Sequence, residues 1–67
     1  MKNQQQLWLP DNYGKGTIIY DNSGKPYEAI KKLDIGVNIW EIEEVEKDYA
    51  KKAIKNGADI RLFYLNL

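Results

Sequence analysis

The chain has no cysteine and no histidine, and Ser23 and Arg61 are its only serine and arginine. Without cysteine no disulfide can staple the fold, and without imidazole or thiolate the usual structural zinc sites are excluded. Nucleophilic catalysis needs Ser or Cys beside a base, and a single serine with no histidine does not supply it. A non-enzymatic protein that carries no cofactor is therefore expected. Long apolar runs are also missing. No stretch approaches the roughly 20 residues of a membrane span, and the opening MKNQQQLWLP is too polar for the apolar region of a signal peptide. This points to a cytoplasmic protein with no membrane partner. Charge of one sign is absent as well: ten basic and ten acidic side chains cancel, so no long-range field draws the chain onto nucleic acid or an anionic surface.

What remains is 67 residues, expected to form one small domain over residues 1 to 67. A chain of this size buries only about 60% of the surface its unfolded form exposes. With no covalent or metal staple, a partner or a second copy is the remaining source of stability, and a homodimer is a natural expectation. Lys, Asn, Ile and Tyr make up 28 of the 67 residues. Their codons are rich in A and T, which suggests an AT-rich genome or a phage or mobile element living in one.

Residues 1 to 6 are polar and read as disordered. The apolar island Leu7-Trp8-Leu9-Pro10 follows, and residues 1 to 10 read as a flexible or docking N-terminal arm. Such an island folds back on its own domain, adds to a sheet edge, or inserts into a partner. Thr17-Ile18-Ile19-Tyr20 reads as a strand, and Asp21-Asn22-Ser23-Gly24 as a hairpin turn. In residues 26 to 33, Tyr27, Ile30 and Leu33 recur at helical spacing while Tyr27, Ala29 and Lys31 alternate poorly as a strand, but the preceding hairpin turn favours a second strand. Asp34-Ile35-Gly36 breaks it. Residues 37 to 42 alternate as a further strand, with Val37 and Ile39 on one face and Trp40 and Ile42 on the other.

The spacing of Val45, Tyr49, Ala50, Ala53 and Ile54 predicts a helix over residues 43 to 56, with Gly57 as its C-terminal cap. Acids gather at its start and lysines at its end, as the helix dipole favours, and Glu43 with Lys47 has the four-residue spacing of a helical ion pair. Residues 59 to 67 close the chain as a strand that is apolar on both faces. One helix covers only one face of a small sheet, so the second face needs another cover: the Leu7-Trp8-Leu9 segment, a helix over residues 26 to 33 if that segment is not a strand, or a second subunit or target. The fold class is α+β: a three- to four-stranded, largely antiparallel sheet against one helix near the C-terminus.

The glycine-containing turns lack the spacing of a phosphate-binding loop, and the carboxylates between Glu41 and Asp48 lack that of a calcium loop. Two function classes remain. The first is a protein-binding or regulatory module, encoded by a phage or mobile element and acting on a host factor. Its interface anchors would be Trp8, Leu9, Trp40, Phe63, Leu65 and Leu67, since large rigid aromatic and apolar groups supply most interface energy. The second is a single-stranded nucleic-acid-binding protein that stacks bases on Tyr20 and Tyr27 beside Lys25, Lys31 and Lys32. Neutral net charge favours the first.

Overall fold

In a computed structural model, residues 4 to 62 are described, and they form one helix and a five-stranded mixed sheet. The elements in chain order are β1 (Gln4–Trp8), β2 (Ile18–Tyr20), β3 (Pro26–Leu33), β4 (Ile39–Glu44), α1 (Lys47–Lys55) and β5 (Ile60–Leu62). Their order across the sheet is β1-β4-β3-β2-β5. Strands β2, β3 and β4 form an antiparallel meander, β1 adds antiparallel to β4, and β5 adds parallel to β2. The α+β class is as expected, but the sheet has five strands and is mixed. Strand β1, read from sequence as an arm, and β5, within the strand expected over residues 59 to 67, flank the meander, and a parallel β5 follows from α1 acting as the crossover that a parallel connection requires.

The turn between β2 and β3 is built by Asp21. Its Oδ1 accepts the backbone N–H of Ser23 at 2.9 Å and of Lys25 at 3.0 Å, and the Ser23 hydroxyl at 2.7 Å. Gly24 completes the turn at φ +86°, a left-handed backbone that side chains disfavour. Above all the Ser23 hydroxyl, and after it the Lys25 and Ser23 N–H groups, hold the Asp21 carboxyl below its ordinary 3.8, against an opposing effect of burial. A carboxylate depressed in the fold stabilises above its unfolded value, and that contribution is lost as pH falls through the folded value. Thermal unfolding followed between pH 5 and pH 2 should therefore show a steeper loss in the native protein than in Asp21→Asn. Parallel curves would contradict a role for this carboxylate.

The helix starts at Lys47, four residues later than the sequence pattern predicts. Glu43 and Glu44 belong to β4, where Glu43 lies opposite Glu28 and Glu44 opposite Tyr27. The four-residue helical spacing of Glu43 and Lys47 is therefore not realised. Strand pairing overrides the helical propensity of the glutamates because Ile42 must sit opposite Ala29 in the core. At the other end, Gly57 has φ +104°, its N–H donates to Ile54 C=O at 3.0 Å, and Ala58 N–H donates to Ala53 C=O at 3.0 Å, closing the helix where expected.

Each sheet face has cover over part of its width. On one, α1 packs on β2 and β3, with Ala50 and Ile18 fully buried, and the Tyr49 hydroxyl donates to the Glu28 carboxylate at 2.9 Å. That bond raises the Tyr49 hydroxyl pKa above 10.0. On the other face, Ile19, Tyr27, Ala29, Trp40 and Ile42 form a core with Leu9, and Leu7 and Tyr13 pack against it. The segment around Leu7 and Leu9 thus supplies cover for the second face. Gln4–Gln6, read from polarity as disordered, are strand, because pairing with β4 satisfies their backbone whatever their side chains.

Candidate functional site: an apolar end of the sheet

Strand β1 lies opposite β4 so that Trp8 faces Ile39, and Ile39 in turn faces Leu33 of β3. Residues directly opposite one another project to the same face, so Trp8, Ile39 and Leu33 form a row across three strands. This row lies at the end of the sheet where residues 34 to 38 connect β3 to β4. Trp8 is 51% exposed, and Ile35 and Val37 in the connection are 67% and 77% exposed. Ile39 and Leu33 are half-buried.

The connection is tied to the rest of the fold. Asn38 adopts a left-handed backbone at φ +56°, its C=O accepts the Leu9 N–H at 3.0 Å, and its side-chain amide donates to the Asp11 carboxylate. Gly36 approaches Ile39 so closely that an added Cβ would lie 3.2 Å from the Ile39 side chain. Single exposed apolar residues are ordinary on protein surfaces. Three of them at one end of a sheet, Trp8, Ile35 and Val37, together with the half-buried Ile39 and Leu33 in the row that Trp8 begins, form the kind of patch that marks an interaction surface.

Strand alternation separates the tryptophans and the N-terminal island. Leu7 and Leu9 turn to the core while Trp8 between them turns to the surface. Leu9 is fully buried and Trp40 is 9% exposed, so these two expected anchors are core residues. Phe63, Leu65 and Leu67 lie outside the described residues. The residues missed from sequence are Leu33, Ile35, Val37 and Ile39. Ile35 stands in the Asp34-Ile35-Gly36 break, where an apolar group has no core to enter; Val37, expected to begin the next strand, lies instead in the connection, because β4 starts at Ile39.

Of the residues of the nucleic-acid reading, Tyr20 lies opposite Pro26, next to Lys25 and Tyr27, while Lys31 and Lys32 lie farther along β3. Tyr27 is buried, its hydroxyl pKa raised above 10.0 by burial and by the Asp21 charge, and it cannot stack on a base from there. Tyr20 is half-buried, Lys25 lies 3.9 Å from Glu44, and Lys31 and Lys32 are exposed neighbours in β3 that project to opposite faces. An open cleft of about 420 Å³ runs between the β2–β3 turn and the start of α1, where Lys25 and Lys47 alternate with Glu44, Glu46 and Asp48. It presents no single sign of charge to a ligand. Among the described residues, no group of three carboxylates is placed to hold a metal ion, and no helix is long and apolar enough to cross a membrane. The chain matches no known protein-family model, no curated protein and no solved structure.

Proposed function

We propose that this chain is a small, non-enzymatic protein-binding module with a regulatory role in the cytoplasm, and that it binds through the apolar end formed by Trp8, Leu33, Ile35, Val37 and Ile39. The observation that carries this reading is the exposure of Ile35, Val37 and Trp8 at the same end of the sheet, in and next to a connection tied down through Asn38. A rigid apolar patch with an aromatic anchor loses little conformational entropy on docking, which favours affinity. The chain's richness in Lys, Asn, Ile and Tyr, whose codons are rich in A and T, makes a host factor of a phage or mobile element the first partner to seek.

The test is capture from host lysate with the native chain and with an Ile35→Ser/Val37→Ser double variant, each with and without nuclease. Both substitutions are at exposed positions and should change stability by about 0.5 kcal/mol or less apiece. A stoichiometric protein that survives nuclease and is lost from the double variant is the expected result. Equal capture by both chains would overturn the assignment of this surface, and captured material that disappears on nuclease treatment would replace protein binding with nucleic-acid binding.

A further inference from the structure

Resting on the reading of the chain as a protein-binding module, we infer that one of its partners is a second copy of itself, paired antiparallel along the outer edge of β1. Strand β1 ends the sheet, and among the described residues no strand lies on its outer side. Its register with β4 decides which backbone groups face outward. The Leu9 N–H donates to Asn38 C=O, and Leu7 lies opposite Trp40 and Gln5 opposite Ile42 in the same alternation. Hydrogen bonding to one neighbour alternates along a strand, so Gln5, Leu7 and Leu9 bond to β4, while Gln4, Gln6 and Trp8 direct their N–H and C=O groups to the open side.

Natural edge strands are protected by charge, proline, bulges or shortness. Strand β1 has five residues, QQQLW, with no charge and no proline, and pairs with β4 without a bulge. The opposite edge, β5, has three residues and carries Arg61, whose guanidinium carbon sits 5.4 Å from the centre of the Tyr13 ring. Among the described residues, β1 is the edge strand with neither charge nor proline.

The strand is also self-complementary. With Gln6 opposite Gln6 of the second copy, Trp8 stands opposite position 4, and every outward N–H and C=O of Gln4, Gln6 and Trp8 meets an outward group of the mate. A shift by one residue would set outward groups against inward ones and form no ladder. No charge lies in the paired strands, and the net charge of zero adds no repulsion between copies. Trp8, half exposed at the end of β1, is brought against the second copy by the same register, which joins this edge to the apolar end of the sheet.

The orientation of Gln6 provides the test. Its N–H faces outward, so Gln6→Pro removes no bond to β4 and proline is tolerated on an edge in this position. Gln6→Lys leaves the backbone intact and sets two like charges opposite one another at the symmetry axis. Sedimentation equilibrium from micromolar to millimolar protein should show the native chain rising from 7.8 kDa toward twice that mass. Both variants should keep the native circular dichroism and associate more weakly by about tenfold or more. A native chain that stays monomeric throughout, or folded variants that dimerise as the native chain does, would overturn the pairing. The two readings fail separately: a monomeric chain that still captures a protein through Ile35 and Val37 loses the self-pairing and keeps the binding module.

Discussion

Trp40→Ala is expected to bring the protein to the edge of unfolding at room temperature. The indole is 9% exposed, stands between Leu7 of β1 and Lys32 of β3 in the sheet register, and shares the core with Leu9, Ile19, Tyr27, Ala29 and Ile42. Truncating a buried aromatic to alanine costs about 3 to 5 kcal/mol, because transfer energy is lost and a cavity is left. A domain of this size has about 3 to 10 kcal/mol in total at the usual 0.05 to 0.15 per residue. Trp8→Ala, half exposed on the other face, should cost about 1 kcal/mol or less. Urea denaturation followed by circular dichroism distinguishes the two, and equal midpoints would contradict the placement of Trp40 in the core and Trp8 at the surface.

The second large effect is expected at Leu9. Its side chain is fully buried among strand residues from β2, β3 and β4, although it stands just after β1 in a segment rich in turn formers. Leu9→Ala should cost about 2 to 5 kcal/mol, against almost nothing if residues 1 to 10 were a mobile arm. The penalty should appear as a lower denaturation midpoint with little change in slope, since the surface exposed on unfolding is nearly the same. An unchanged midpoint would leave the second face of the sheet without its cover.

The meander was legible in the sequence because its signals are local. Ile18 to Tyr20 are β-branched and aromatic, Asp21 and Gly24 are turn formers, and the structure uses each in that role. The strand over residues 26 to 33 was legible only through the turn before it, since its own apolar spacing also fits a helix. A bulge between Ala29 and Lys31 shifts its register with β4, which breaks the simple alternation that would have marked it as a strand. The start of α1 was hidden because glutamates favour helix locally, whereas Glu43 and Glu44 are held extended by partners on β3. Strand β1 was hidden for a related reason. Three glutamines carry no β signal, and their pairing with β4 is a contact between residues more than thirty positions apart in the chain.

The candidate surface was half legible. Trp8 stood out as an aromatic in a polar segment, and it is exposed. Leu9 and Trp40 were grouped with it by composition, and only the two-residue alternation of β1 and β4 sends their side chains inward. Ile35 sits in the Asp34-Ile35-Gly36 break, and Val37 alternates with Ile39 as if it began the next strand, so neither is marked as a surface residue by its spacing. That they share an end of the sheet with Trp8 follows from the β1–β4 register, which sets Trp8 opposite Ile39 at the end of the 34–38 connection.

The measurement that bears most directly on this arrangement is residue-resolved amide hydrogen exchange on the dilute native chain. The N–H groups of Leu7 and Leu9 should be protected to the level of the core strands, because they bond to β4, while those of Gln6 and Trp8 should exchange rapidly until the concentration is raised. Exchange of Leu7 and Leu9 at the rate of an unstructured chain would mean that β1 is not part of the sheet, and both the exposed setting of Trp8 and the open edge beside it would be lost.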